Sequence, residues 1–158
     1  MAEAKAKARV RKFLVVVDKT PEARVALRYA ARRAQHTQGR VTLLAIAAPP
    51  DFQQWRGVES IMEDEAHAEA EAQVHAAAKT INELAGVTPE LVIMQGRKTD
   101  CVSELLKADK DLSILILAAG TGKAGPGPLV SMFATGTHPI PVTIVPGTLT
   151  DTAIDAIA

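Results

Sequence analysis

A nearly unbroken apolar run, followed by a glycine-rich loop, is the feature of this sequence that most restricts its fold. The run is Leu112–Ala119, with the sequence LSILILAA. A strand that is apolar on both sides predicts a parallel sheet covered by helices on both faces. The loop that follows contains four glycines, Gly120, Gly122, Gly125 and Gly127. A glycine-rich turn from a buried strand into a helix can bring backbone N–H groups close to an anion.

Other apolar segments predict the remaining strands of the sheet, and apolar residues at helical spacing lie between them. This alternation predicts an α/β fold with three layers, α/β/α, around one five-stranded parallel sheet. The other predicted strands are Phe13–Val17, Arg40–Ala48, Glu90–Gln95 and Val142–Val145. The predicted helices are Pro21 to about Gln35 with Thr20 as cap, Val58–Ala85, Asp100–Lys107 with Thr99 as cap, roughly Pro128–Thr135, and a short one around Asp151–Ile157.

Composition and charge exclude several classes of protein. The 158 residues carry a formal net charge of zero, which argues against an electrostatic nucleic-acid partner. No apolar run approaches the roughly 18 residues of a membrane-spanning helix, so we expect no membrane association. The lone Cys101 excludes an internal disulfide and is typical of a reducing, cytoplasmic compartment. Residues 1–11 are predicted to be a basic N-terminal arm.

Asp18 follows the first strand, and the glycine-rich loop follows the fourth. Ligands of open parallel sheets bind beyond the carboxyl ends of the strands, where the strand order reverses. If the first and fourth strands are neighbours, Asp18 faces the glycines across one crevice. Its carboxylate could then accept hydrogen bonds from a ribose hydroxyl or hold a metal. Alternatively, Asp18 only helps Thr20 to cap the first helix.

The loop does not match the common phosphate-binding motifs. It is not a P-loop, because Lys123 is followed by Ala124 and position 117 is Leu117. The dinucleotide spacing Gly-x-Gly-x-x-Gly occurs from Gly120 to Gly125, but it lacks a tight turn straight into a helix. Two interpretations remain: a generic anion cradle or a flexible surface loop.

The cradle interpretation gains two side-chain donors from Thr121 and Lys123, but Pro126 and Pro128 remove two backbone donors. Elsewhere, the long helix carries His67, Glu71 and His75 along one stripe. A single straight helix rarely closes a coordination shell, so we predict no metal site there, and no catalytic constellation is found.

With these elements in place, the sequence resembles a universal stress protein domain over about residues 12–147, which makes residues 148–158 a C-terminal tail. The resemblance rests on the segments VVVDKTPEA (Val15–Ala23), VTLLAIA (Val41–Ala47), DLSILILAAG (Asp111–Gly120) and HPIPVTIVPG (His138–Gly147). It implies the strand order 3-2-1-4-5, which places the first and fourth strands side by side, and usually a homodimer.

The family includes members that bind ATP and members that do not. The binders share a Gly-x2-Gly-x9-Gly-Ser/Thr signature after the fourth strand, and this chain departs from it. Gly120 fits the first position, but the second falls on Lys123, or on Gly122 with a shift. The final pair falls on Pro128-Leu129, and the loop is shorter. The phosphate end is therefore where this chain differs from the binders.

The resemblance implies that Asp18 meets a ribose and that Ile46 lies beside an adenine. We therefore expect a homodimeric stress-response module that binds ATP with Mg²⁺, or another adenine nucleotide, with weak ATP hydrolysis at most. The alternatives are a dimeric regulatory protein that has lost nucleotide binding, or a slow ATPase. The candidate ligand-binding residues are Val16, Asp18, Ile46, Ala119, Gly120, Gly122, Lys123, Gly125, Gly127 and Val130.

The implied strand order makes the fifth strand an edge of the sheet. Its residues Val142–Val145 include no charge and no internal proline. An unguarded edge strand readily pairs with a second chain. We therefore predict that two copies pair antiparallel through this strand.

Overall fold

The computed structural model describes residues 9–47 and 59–158, and the side chains of residues 9–47 and 62–158. Three sequence predictions fall outside the described residues, namely the first eight residues of the basic arm, the end of the second strand at Ala48 and the start of the long helix at Val58. The loop 51–57, which these two predicted elements leave between them, lies outside as well.

Five parallel strands form one sheet in the order β3-β2-β1-β4-β5. This confirms the predicted fold class and strand order, and it makes β1 the central strand with β4 beside it. The strands are β1 (Lys12–Val17), β2 (Arg40–Ala47), β3 (Glu90–Gln95), β4 (Ile114–Ala119) and β5 (Val142–Pro146).

Helices cover both faces of the sheet. They are α1 (Ala23–Thr37), α2 (Glu59–Ala85), α3 (Lys98–Ala108), α4 (Pro128–Phe133) and α5 (Asp151–Ile157). Alternate residues of β1 lie in two separate apolar clusters: Phe13 and Val15 pack with α1, α2 and α5, whereas Leu14 and Val16 pack with α3 and α4. Within the described ranges, none of the helices is long and apolar enough to cross a membrane.

Two predicted helix caps are wrong. Helix α1 begins at Ala23 after Glu22, and the Thr20 hydroxyl donates to Asp18 instead of capping the helix. Helix α3 begins at Lys98, so Thr99 lies inside its first turn. Thr20 fails as a cap because its hydroxyl binds Asp18, and Thr99 fails because it lies within the helix. The sequence therefore predicted both caps at the wrong residues.

Three other predicted boundaries shift by two residues. Strand β4 begins at Ile114 rather than at Leu112, which is buried but lies outside the strand. Helix α4 ends at Phe133 instead of Thr135, and helix α1 ends at Thr37 instead of about Gln35. Strand β4 is flanked by β1 on one side and β5 on the other, and this explains its continuous apolar sequence.

Helix α3 is ion-paired to both ends of β1. At the amino end of the strand, Lys12 Nζ lies 2.6 Å from Asp109, the C-cap of α3, and 2.8 Å from Glu90. At the carboxyl end, Lys98 Nζ, at the start of α3, lies 3.0 Å from Asp18 Oδ2. The helix dipole would favour the opposite charges at the two ends of α3. The two ion pairs therefore follow from tertiary packing and not from helix capping.

The C-terminal tail folds back onto α1. The predicted short helix is present as α5, and Thr150 caps it by accepting a hydrogen bond from the Ala153 N–H at 3.2 Å. Ile154 is completely buried. Hydrogen bonds from Arg28 and then Arg32 hold the pKa of Asp155 well below its ordinary value. The tail is thus an integral part of the α1 face of the domain.

Candidate functional site

Asp18 and the glycine-rich loop lie at the same crevice. The crevice has a volume of about 80 Å³, and Asp18, Pro126 and Gly127 all line it. Its apolar wall includes Leu117 in β4 and Leu129 in α4. The structure therefore brings Asp18, which follows β1, close to the loop that follows β4, as expected from the sequence.

The Asp18 carboxylate is held from two sides. Its Oδ1 accepts hydrogen bonds from the Thr20 backbone N–H at 2.8 Å and from the Thr20 hydroxyl. Its Oδ2 accepts from Lys98 Nζ at 3.0 Å. Burial raises the pKa of Asp18, but the hydrogen bonds from Thr20 and the charge of Lys98 outweigh it and hold the pKa below its ordinary value. Asp18 is therefore ionised at neutral pH.

The structure separates the two interpretations of Asp18 given by the sequence. Asp18 does bind Thr20, but neither residue caps α1, because the N-cap is Glu22 and the helix lacks a side-chain cap hydrogen bond. The side chain of Asp18 remains 23 % exposed and faces the crevice. Its remaining lone pairs are available to a ligand.

The loop uses some of its own backbone donors to close on itself. The Gly120 N–H donates to the Pro126 carbonyl at 3.0 Å, and the Gly125 N–H donates to the Gly122 carbonyl at 3.2 Å. Pro126 and Pro128 have no N–H to offer. Of the positions that an anion cradle would use, two therefore have no backbone N–H, and two others donate their N–H within the loop.

Glu22 lies where the loop and the end of β5 meet. A Cβ on Gly120 would lie 2.8 Å from the Gly125 carbonyl oxygen and 3.3 Å from Glu22 Oε1. A Cβ on Gly147 would lie 2.3 Å from the Ala119 carbonyl oxygen and 3.1 Å from Glu22 Cβ. Only glycine permits these close approaches, and they bring a carboxylate beside the first glycine of the loop.

The structure gathers only part of the predicted site. Two charged residues that line the crevice, Glu22 and Lys98, were missed. Lys98 could have been found, because it follows β3 at the same edge of the sheet as Asp18. Of the predicted residues, Val16, Asp18, Gly127 and Val130 line the crevice, whereas Ile46, Ala119, Gly120, Gly122, Lys123 and Gly125 do not.

A larger groove of about 460 Å³ opens between α1 and α2, on the face of the sheet that these two helices cover. Val15 and Val17 of β1 line it, with Leu27 and Ala77 on the helices. Asp18, together with its neighbours on β1 and α1, lines both the groove and the crevice. The two concavities therefore meet at Asp18.

The described residues offer no obvious metal-binding or thiol chemistry. Among them, no group of three His, Cys, Asp or Glu side chains could hold a metal ion. In the stripe on α2, His75 Nε2 lies 4.0 Å from Glu71 Oε1, and both side chains are exposed. Burial, followed by the charges of Glu104 and Asp100, raises the pKa of the Cys101 thiol. Cys101 is therefore protonated at neutral pH and packs as a small apolar residue.

The sequence model of the universal stress protein family matches residues 9–130, from the start of the described chain into α4. A comparison with curated protein sequences gave no significant match.

Solved structures share the fold. The universal stress protein UspA from Lactobacillus plantarum superposes with a TM-score of 0.75 and 19 % identity, over 88 % of this chain and 99 % of that protein. A universal stress protein in complex with cAMP gives 0.58 and 17 %, over 89 % and 100 %. A family protein from Arabidopsis thaliana with AMP bound gives 0.57 and 15 %, over 86 % and 91 %.

Proposed function

This chain belongs to the universal stress protein family, and we propose that it is a stress-response module that binds an adenine nucleotide beyond the carboxyl ends of β1 and β4. The observation that carries the proposal is the position of Asp18. An ionised, partly exposed carboxylate lies at the point where the strand order reverses. Two concavities meet there, and such places are where open α/β sheets bind ligands.

Two structural neighbours support the ligand class. One is described as a complex with cAMP and another as having AMP bound. Both are under 20 % identical to this chain, so the likeness supports the fold and not the individual contacts. The contacts proposed for this chain come from its own residues.

In this proposal Asp18 accepts hydrogen bonds from the ribose hydroxyls. Its Oδ2 is bound to Lys98 Nζ, so the ligand either shares that oxygen with Lys98 or displaces the ammonium group. Mg²⁺ usually binds through one or two carboxylates together with substrate phosphates, so in this proposal it arrives with the phosphates of the nucleotide.

Binding is favoured over hydrolysis. A general base works best when its pKa is close to the working pH. The hydrogen bonds from Thr20 and Lys98 move the pKa of Asp18 in the opposite direction, below its ordinary value. Asp18 is therefore a weak base. Because a slow ATPase reaction would have to use Asp18 as its general base, binding without hydrolysis is the favoured function.

Replacing Asp18 with asparagine should weaken AMP binding about tenfold, because one ionised acceptor for the ribose is lost. Isothermal titration calorimetry measures the dissociation constant. Asp111→Asn is the matched control, because Asp111 forms an exposed ion pair with Arg9 near the start of β4. It therefore lies at the amino ends of the strands, away from Asp18. A lack of saturable heat at millimolar AMP, or equal affinity in the wild type and Asp18→Asn, would contradict the proposal.

We also propose a homodimer that forms through β5. Among the described residues β5 pairs only with β4, so its other edge is open. Ile144 is 40 % exposed on this strand. A row of unpaired backbone groups next to an exposed apolar side chain favours pairing with a second copy.

Sedimentation velocity at micromolar concentration should show a dimer for the wild type and a monomer for Ile144→Lys, because a charged side chain at an edge strand opposes pairing. Leu91→Lys is the control, since Leu91 is similarly exposed on β3 at the other edge of the sheet. This control should remain dimeric. A monomeric wild type, or a dimeric Ile144→Lys, would rule out pairing through β5.

A further inference from the structure

We propose that this site selects against phosphate, so that affinity falls from adenosine through AMP to ATP. The base lies in the groove between α1 and α2, the sugar lies at Asp18, and the 5′ end points to the acidic crevice. This inference rests on the proposed function, because it names the ligand class of the same site.

The charges that line the crevice disfavour an anion. Lys98 is already paired with Asp18 at 3.0 Å. The second carboxylate, Glu22, has no hydrogen-bond or ion-pair partner among the described residues, and it lies beside Gly120. The lining thus carries two negative charges and one positive charge. Lys123 is exposed and lies outside the lining, so the net charge facing a ligand is negative.

The backbone gives little compensation. The N–H groups of Gly120 and Gly125 are bonded within the loop. Helix α4, which follows the loop, has only six residues and begins with Pro128. A helix this short provides little of the positive potential that phosphates use at helix N-termini. A phosphate in the crevice would therefore meet Glu22 and would find fewer backbone donors than the four loop glycines suggest.

The sizes of the two concavities agree with this orientation. The crevice holds about 80 Å³ and the groove about 460 Å³. Pockets for small organic ligands generally occupy about 300–1,000 Å³ and have mostly apolar walls. The groove meets both conditions, since Val17, Leu27 and Leu84 line it. A base fits there, and because both concavities reach Asp18, the sugar can lie at the carboxylate.

Calorimetry with adenosine, AMP and ATP tests the charge argument. The wild type should bind adenosine at least about tenfold more tightly than ATP. Glu22→Gln should narrow the ratio of the adenosine and ATP affinities about tenfold, chiefly by improving ATP binding. This variant should fold, because the Glu22 side chain makes no cap hydrogen bond to α1. Glu104→Gln, an exposed carboxylate on α3 outside the crevice lining, should keep the wild-type ratio.

A second pair of variants tests the position of the base. Ala76 is exposed and lines the groove, whereas Ala72 is exposed one turn earlier on α2 and does not line it. Ala76→Phe fills the groove and should weaken adenosine binding at least about tenfold, while Ala72→Phe should bind as the wild type does. Equal binding by these two variants would overturn the placement of the base.

The outcomes separate the two proposals. If ATP binds as tightly as adenosine or more tightly, or if Glu22→Gln leaves the ratio unchanged, selection against phosphate is overturned while nucleotide binding stands. If none of the three ligands binds, both proposals are overturned. The order adenosine, AMP, ATP, together with the Glu22→Gln response, supports both.

Discussion

Replacing Lys12 with alanine should lower the free energy of unfolding by about 3 kcal/mol, the usual cost of removing one partner of a buried ion pair. The Lys12 side chain is 9 % exposed and lies between Asp109 and Glu90. Without it, the Asp109 carboxylate, itself 19 % exposed, keeps its charge but loses its main partner. Urea unfolding followed by circular dichroism measures the change.

A double variant separates the charge from the packing. Lys12→Met with Asp109→Asn removes both charges while keeping the side-chain volumes, and the asparagine oxygen can still accept the Asp111 N–H. Replacing a buried pair by uncharged groups is often nearly neutral, so this variant should recover at least half of the lost stability. A single variant Lys12→Ala as stable as the wild type would show that the pair contributes nothing.

The loss of stability in Lys12→Ala should depend on pH. Burial lowers the pKa of Lys12, but the bonds to Asp109 and Glu90 outweigh it, so the pKa is raised. Burial raises the pKa of Asp109, but Lys12 and nearby backbone N–H groups outweigh it, so the pKa is lowered. The contribution of Lys12 is lost as pH rises through its raised pKa, and that of Asp109 is lost as pH falls through its lowered pKa. The difference from the wild type should therefore be constant between about pH 4 and pH 10, and shrink outside that range.

Gly147→Ala should be the second large effect, a loss of about 3 kcal/mol. The added Cβ would lie 2.3 Å from the Ala119 carbonyl oxygen and 3.1 Å from the Thr121 side chain. Ala119 is the last residue of β4, so relief of this clash has to move the end of a buried strand. Thermal and urea unfolding measure the loss.

Gly122→Ala is the matched control for this prediction. Gly122 lies in the neighbouring glycine-rich loop after β4, but a Cβ there would meet nothing within 4 Å, and its φ is not in the left-handed region. Alanine should therefore be neutral, or stabilising by up to about 1 kcal/mol through the unfolded state. If Gly147→Ala proves as stable as Gly122→Ala, the close approach at Gly147 is not a constraint on the fold.

The layer architecture was predictable because a strand that is buried on both faces has a continuous apolar sequence. Strand β1 is covered on both faces and flanked on both sides, so its apolar residues run without a break, and the same holds for β4. The position of Asp18 followed from this, since the carboxyl ends of parallel strands share one edge. The helix within the tail could also be predicted, because Thr150 lies at a regular cap position.

The details of the site were not predictable, because they depend on competition between partners. Thr20 before Pro21 has the sequence of a helix cap, but Asp18 lies two residues earlier and takes its hydroxyl. The loop glycines suggested free N–H groups, yet positive φ angles at Gly125 and Gly127 fold the loop onto its own carbonyls. Which of several possible partners forms each hydrogen bond depends on the folded structure, so it cannot be predicted from the residue types alone.

The ion pairs at both ends of α3 have a mechanical consequence for the crevice. Helix α3 cannot pivot about either end without breaking the contact of Lys98 with Asp18 or that of Asp109 with Lys12. Lys98, the residue of α3 that lines the crevice, is therefore tied to a helix that is anchored at both ends. On the other side of the crevice, hydrogen bonds close the loop 120–127 on itself, so a ligand enters between two restrained elements.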